Sequence, residues 1–178
     1  MKSNGNAIGV VQRGGQFKVE AKPTSSRPEI RDINEATKYF INIVRRRIEI
    51  TPSAGVKVRR IEKVNFGRHR VIVFDIGWQF KHKTLVVYLI YQRKYYQEFG
   101  KNFQFDDVMA TSVRLSILEE IVKHRYDRIA WVYWDGAIYW TDPKYMLQLV
   151  RENGWMHKTK ATGELLAHIP LKLLTKIN

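Results

Sequence analysis

Two apolar runs between His69 and Lys94, joined by a short basic segment, constrain the fold of this chain more than any other feature. The first run is VIVF, followed by Asp75, and the second is LVVYLIY, followed by Gln92 and Arg93. Runs rich in Val, Ile, Tyr and Phe favour strands, and a short polar connection between them is typical of an antiparallel hairpin. The stretch therefore predicts two buried strands whose polar ends lie at neighbouring points of a sheet.

The positive charge of the chain is confined to one half. Lys and Arg number 31 against 17 Asp and Glu, which gives a net charge of +14. Residues 1–101 carry +13 of this surplus and residues 102–178 carry +1. A surplus in one half predicts a positive face, and phosphate backbones are the commonest intracellular polyanion. Nucleic acid is the expected partner, with a merely soluble basic protein or an acidic-lipid binder as alternatives.

Composition narrows the class of protein. A chain of 178 residues with 44% hydrophobic content fits a single soluble globular domain. The sequence holds no apolar run near the roughly 20 residues that span a bilayer, and its first residues lack the apolar centre of a signal peptide. With no cysteine, a disulfide framework, a thiolate zinc site and a cysteine nucleophile are excluded. We expect no membrane partner and an intracellular location, in the cytoplasm or in a host cell.

Helix and strand signals predict a mixed order of elements around the hairpin. Residues 1–26, rich in Gly and Ser, are expected to form a flexible or hairpin-forming arm before a single domain over residues 27–178. The predicted elements are a helix over 27–47, with a later possible start at Asp32, a strand over 56–66, a helix from Asp106 or Asp107 to His124, strands over 128–134 and 137–140, a helix that begins at Pro143 and ends before Gly154, and a strand with a short turn over 164–177.

This order of elements resembles the common core of the PD-(D/E)xK restriction-endonuclease-like nucleases, which include archaeal Holliday-junction resolvases and many viral nucleases. The resemblance covers about residues 27–154. It implies an α/β fold with an αβββαβ core, in which a central mixed sheet is flanked by helices. In this family an acidic residue ends the second core strand, and Asp75 matches it. An acid-x-Lys motif ends the third strand, and Gln92-Arg93-Lys94 matches it with Gln in place of the acid.

The resemblance implies a metal-dependent DNA endonuclease of the resolvase kind. Its cofactor would be Mg²⁺ or Mn²⁺, held by carboxylate and carbonyl oxygens, and its lysine would orient the attacking water. Asp75 and Gln92 would be the metal ligands, and Lys94 would share the face of Gln92 because residues i and i+2 of a strand point the same way. A glutamate of the first helix completes the family pattern. Helix-face geometry favours Glu29 for this position, whereas the distance to the first strand favours Glu35.

Two alternatives remain open for the hairpin. If the third strand is aligned by its apolar run, the acid position falls on Leu89 and the lysine position on Tyr91, both inert. The chain would then be a catalytically inactive nuclease relative that binds nucleic acid or another partner. Asp75 would otherwise be a strand-end carboxylate paired with Arg70 or Lys94.

The predicted DNA contacts all lie in the basic half of the chain, residues 1–101. Branched or single-stranded DNA is the expected substrate, and a homodimer is plausible because a junction presents two symmetric cleavage points. The five histidines show no metal-ligand spacing and receive no predicted role. The residues predicted to bind the phosphate backbone are Arg59, Arg60, Lys63, Arg68, Arg70, Lys81, Lys83 and Arg93.

Overall fold

A computed structural model describes residues 29–48, 55–64, 66–78, 81–93 and 110–178 of the chain. The predicted N-terminal arm and Lys94 lie outside these ranges. In chain order the described elements are α1 (Ile33–Ile48), β1 (Gly55–Lys63), β2 (His69–Trp78), β3 (Lys81–Gln92), β4 (Ala110–Arg114), α2 (Leu115–Lys123), β5 (Arg128–Tyr133), β6 (Ile138–Thr141), α3 (Pro143–Asn153), β7 (Met156–Lys158), β8 (Leu165–Pro170), a 3-10 turn (Leu171–Leu173) and β9 (Thr175–Lys176).

The central sheet is mixed and has six described strands in the order β1-β2-β3-β5-β6-β9. Strands β1, β2 and β3 form an antiparallel meander, so the predicted hairpin is confirmed. Strand β5 runs parallel to β3, and β6 returns antiparallel to β5. A second sheet of three described strands has the order β4-β8-β7. The prediction of an α/β fold with a mixed central sheet and helices is thereby confirmed.

Helices and the small sheet cover the two faces of the central sheet. Helix α1 packs through Phe40 against Ile72 and Phe74 of β2 on one face. Helices α2 and α3 pack on the other face, where Trp131 of β5 and Met146 of α3 are fully buried. Because β2 and β3 are covered on both faces, consecutive side chains are buried over residues 71–74 and 87–91. This explains why their sequences are continuous apolar runs rather than alternating ones.

Helix α1 begins at the later of the two predicted starts. The Asp32 carboxylate accepts a hydrogen bond from the backbone N–H of Glu35 at 2.9 Å, as an N-terminal cap does. Glu29 precedes the helix. The last turn holds three arginines, over residues 45–47, where cations suit the negative end of the helix dipole.

The second predicted helix is shorter than its sequence pattern indicated. Residues 110–114 form β4, which pairs with β8 so that Val113 lies opposite Ala167. Val113 fits the helical spacing of Ile117 and Ile121, but it fits equally a strand whose alternate residues are buried. Residues 110–114 form a strand because they pair with a strand more than 50 residues away. A single window of sequence cannot show such pairing.

The hairpin turn and the third helix form as predicted. Gly136 has a φ of 88° in the turn between β5 and β6, a conformation that favours glycine. The Asp142 carboxylate caps α3 by accepting from the N–H groups of Lys144 at 2.8 Å and Tyr145 at 3.2 Å. Gly154 ends the helix in the left-handed region, at a φ of 65°. None of the described helices is both long and apolar enough to cross a membrane.

Candidate nucleic-acid interface

Asp75 forms an ion pair with Arg59 of the neighbouring strand β1. It lies near the end of β2, opposite Lys57 of β1 and Thr84 of β3. Arg59 Nη2 is 2.6 Å from Asp75 Oδ1, and Arg59 Nε donates to Oδ2 at 3.1 Å. The register of β1 shifts between Val58 and Arg60, which places Arg59 within reach of the carboxylate. Asp75 is therefore ion-paired, and its partner is Arg59 rather than the predicted Arg70 or Lys94.

The surroundings of Asp75 do not fit a divalent cation. A cavity of about 400 Å³ beside it is lined in part by Lys57, Arg59, His82 and Thr84. Mg²⁺ binds anionic and carbonyl oxygens, whereas two cationic side chains flank this carboxylate. Among the residues that the structure describes, no three or more His, Asp or Glu side chains form a group that could hold a metal ion.

The prediction that Asp75 and Gln92 converge is wrong. Thr84 pairs with Asp75, and Gln92 ends β3 eight residues further along. At about 3.3 Å per residue, these two side chains are roughly 26 Å apart. In an antiparallel hairpin the end of the first strand lies beside the start of the second, not beside its end. A metal ion bound jointly by Asp75 and Gln92 is thus excluded.

In the alternative register Leu89 and Tyr91 take the motif positions and the site is empty of metal ligands, but these two residues do not lie opposite Asp75 either. Leu89 is fully buried opposite Arg70, and Tyr91 is 4% exposed. The Tyr91 hydroxyl donates to the backbone oxygen of Ile30 at 2.6 Å, which fixes the start of α1 against the sheet. Thr84 occupies the position opposite Asp75.

The two helix glutamates do not approach Asp75 either. Helix α1 packs on the face of β2 that carries Phe74, and successive residues of a strand point to opposite faces, so Asp75 points away from α1. Glu29 is exposed. The Glu35 carboxylate accepts hydrogen bonds from Arg31, whose Nη2 lies at 2.8 Å, and these bonds lower the pKa of Glu35.

The basic residues predicted to bind phosphate divide into two groups. Exposed residues of β1 form what we call the basic edge, because β1 is the outermost described strand on its side of the central sheet. Two members are also ion-paired, Arg59 with Asp75 and Arg60 with Glu62. The basic edge consists of Lys57, Arg59, Arg60 and Lys63.

The second group of predicted phosphate contacts lies in and around the hairpin. Lys83 is exposed on β3, and the Lys81 side chain is outside the described part. Arg68 and Arg93 are exposed near the Gln92 end of β3.

Arg70 is the exception among these residues. It is only 9% exposed, and its Nη1 donates to the backbone oxygens of His69 at 2.7 Å and Gly67 at 3.5 Å. Arg70 therefore stabilises the turn before β2 and is not part of the exposed basic surface, contrary to the prediction.

A polar cavity lies at the Gln92 end of β3. It has a volume of about 450 Å³, and three chain stretches contribute to its wall: the turn before β2, the end of β3, and β4. Gln92 is 4% exposed and shares its face of the strand with Ile90, which also lines the cavity. The polar and aromatic residues of the wall are Phe66, Arg68, His69, Gln92, Ser112 and Arg114.

His69 is a cavity residue that sequence reasoning missed. Burial lowers its pKa to about 4, and the charges of Arg68 and Arg114 act in the same direction. The ring is therefore neutral at pH 7, and its Nδ1 lies 2.7 Å from the Tyr88 hydroxyl. The sequence carries no signal for this site, since β4 adds Ser112 and Arg114 to the wall from more than 40 residues away.

Comparisons of the chain with models of protein families, with curated protein sequences and with solved structures gave no match. The resemblance to nucleases consequently stays a prediction, and a functional proposal rests on the described residues.

Proposed function

We propose that this protein binds nucleic acid through the basic edge and that Asp75 stabilises this edge instead of catalysing hydrolysis. The observation that carries the proposal is the two-point ion pair between Asp75 and Arg59. This ion pair engages the Asp75 carboxylate and holds the Arg59 guanidinium in place among the exposed cations of β1. This corresponds to the inactive, nucleic-acid-binding alternative derived from the sequence.

The dimensions of the basic edge suit a phosphate backbone. Lys57 and Lys63 are six residues apart in β1, which corresponds to roughly 20 Å. They pair with Asp75 and Arg70, which point to opposite faces of the sheet, so a phosphate backbone that contacts both lysines would follow the edge of β1 itself. Along a duplex this length covers about six base-pair steps. A further cavity, of about 340 Å³, lies between β1 and α1 and is lined by Lys38 and Arg45 together with Ile61. These two helix residues extend the positive surface beyond the strand.

The metal-dependent endonuclease remains a second candidate because of the order of elements. A helix, three antiparallel strands, the short strand β4, a further helix and a strand parallel to the third follow one another in the described chain, and apart from β4 this order is similar to the αβββαβ core that the resemblance implies. A catalytic site in such a core would not combine Asp75 with Gln92. The predicted lysine, Lys94, lies outside the described residues.

Salt-dependent binding tests the proposal. Fluorescence anisotropy with labelled duplex DNA would be measured over a series of NaCl concentrations. For Lys57→Ser with Lys63→Ser we expect weaker binding and a salt slope that falls by about one for each of these lysines that binds a phosphate. The matched control is Lys123→Ser with Lys144→Ser, two exposed lysines on α2 and α3 at the other face. Equal reductions in affinity in the two double variants would refute a role for the basic edge.

A cleavage assay separates the two candidate functions. Duplex and branched DNA would be incubated with the protein in Mg²⁺ or Mn²⁺. Under the binding proposal the strands stay intact for both the unmodified protein and Asp75→Asn. Metal-dependent cutting that Asp75→Asn abolishes would overturn the structural role of Asp75 and favour the endonuclease.

A further inference from the structure

The cavity at the Gln92 end of β3 has the size and the composition of a small-molecule site. Its volume of about 450 Å³ falls within the range of roughly 300–1,000 Å³ that ligand pockets occupy. Its wall combines apolar side chains, among them Ile90 and Ile117, with a few polar groups. The wall is more polar than apolar, which suits a charged or strongly polar ligand oriented by hydrogen bonds.

Gln92 supplies the buried polar group. Its backbone oxygen accepts from the N–H of Trp134 at 3.2 Å, which fixes the end of β3 against β5. The Gln92 side chain is buried and contributes to the cavity wall. An amide offers both a donor and an acceptor, the pair that the edge of a nucleobase requires. Gln92 therefore places an amide, which can recognise such an edge, in the wall of the cavity.

Positive charge and a stacking surface lie beside Gln92. Arg68 is exposed at the turn, and the Arg114 guanidinium carbon lies 4.7 Å from the centre of the Phe66 ring. Phosphate is bound by arginine, and bases stack on aromatic rings or on guanidinium planes. Glu164 restrains Arg114 through an ion pair of 3.3 Å between Nη1 and Oε1, in which both side chains are about 40% exposed.

The cavity also lies next to the basic edge along the chain. Strand β1 ends at Lys63, and Phe66 begins the turn that forms one wall. A strand of nucleic acid that follows β1 towards Lys63 would reach the cavity mouth at Arg68.

We propose that this cavity binds one nucleotide unit, with its phosphate at Arg68 and Arg114 and its base beside the Gln92 amide. The Phe66 ring packs against Arg114 and His69 and so holds the Arg114 guanidinium at the cavity wall. The unit is either a free mononucleotide or one nucleotide of a single strand. The inference deepens the proposed function, but its residues are separate from the basic edge.

Isothermal titration calorimetry on the full chain tests the site. The ligands are AMP, GMP, CMP and UMP, with the corresponding nucleosides and inorganic phosphate as partial ligands. We expect at least one mononucleotide to bind, and its nucleoside and phosphate alone to bind about tenfold more weakly or less, because each offers only part of the hydrogen-bonding and charged groups. No binding by any of the four mononucleotides at millimolar concentration would overturn the proposal.

Three variants assign the contacts. Gln92→Met keeps the size of the side chain and removes the amide, and Arg114→Gln removes one phosphate partner. Each should weaken mononucleotide binding about tenfold, as expected when a hydrogen bond to a charged or buried group is removed. Glu164→Gln should strengthen it several-fold by releasing Arg114. Unchanged affinity in both weakening variants, with thermal unfolding like that of the unmodified protein, would refute the assignment.

Two further measurements distinguish the ligand source and the two proposals. An eight-nucleotide single strand would be tested as a competitor of the mononucleotide. If it competes, and if Gln92→Met relieves that competition, the ligand is part of a strand. If only mononucleotides bind, the ligand is a free nucleotide. Lys57→Ser with Lys63→Ser should leave mononucleotide binding unchanged while duplex binding falls. The proposal for the cavity and the proposal for the basic edge can therefore be refuted independently of each other.

Discussion

Two buried histidines should make this protein unstable in mild acid. His168 on β8 has no exposed surface, and burial lowers its pKa to about 4, with a further contribution from the charge of His157. The two rings stack with centres 5.3 Å apart, and His157 Nδ1 lies 3.1 Å from His168 Nε2. Burial lowers the pKa of His69 to about 4 as well. Both His69 and His168 are therefore neutral in the folded protein above pH 4.

The sign and size of the effect follow from the two pKa values. In the unfolded chain a histidine takes up its proton near pH 6.5, so between pH 6.5 and pH 4 the unfolded state binds more protons than the folded state. The free energy of unfolding must then fall as the pH falls through this window. Each histidine contributes a slope of up to about 1.4 kcal/mol per pH unit, and the full reduction is about 3 kcal/mol for each.

Urea unfolding followed by tryptophan fluorescence, at several pH values from 4.5 to 7.5, measures this slope. Replacing His168 with Gln should reduce the slope by about 1.4 kcal/mol per pH unit between pH 4.5 and pH 6. His82→Gln, at an exposed position of β3, is the matched control for the loss of a histidine side chain. An unfolding free energy that stays constant from pH 6.5 to 4.5, or the same slope in His168→Gln, would refute the reasoning.

Two further predictions concern charged residues of the hairpin. Asp75→Asn should change the unfolding free energy by less than about 1 kcal/mol, because both ion-pair partners are partly exposed. The same substitution should tighten DNA binding, because it releases Arg59 from the ion pair. Weaker DNA binding would contradict this expectation. Arg70→Met should lower the unfolding free energy by about 1–3 kcal/mol, since it leaves two turn carbonyls without their donor. Arg68→Met, at an exposed position of the same turn, should leave urea unfolding nearly unchanged, and equal destabilisation in these two variants would argue against the role of Arg70 in the turn.

The hairpin and the fold class were predictable because their signals are local. Continuous apolar runs such as LVVYLIY identify strands covered on both faces, and the Asp-Gly dipeptide identifies the turn before β6. Strand β4 was not predictable, since Val113 satisfies helical and strand spacing alike and a distant strand decides between them.

The site was predicted wrongly for a geometric reason. Asp75 and Gln92 each end an apolar run, and their similar positions in the sequence suggested similar positions in space. Antiparallel pairing separates such positions by nearly the length of the hairpin. Gln92 and Arg68 of the cavity were singled out from the sequence, but in other roles. The cavity itself could not be found from the sequence, because Phe66, Gln92 and Arg114 come from three separate stretches that only the fold brings together.

The length of the hairpin also has a consequence for how the protein tolerates change. Energetic effects of substitutions more than about 10 Å apart, with no shared partner, are usually additive. The Asp75 end and the Gln92 end of the hairpin meet this condition, and the strands between them are largely buried. Each end can therefore be altered, by engineering or by descent, without a compensating change at the other. The two strands act as a rigid spacer between two independently adjustable surfaces.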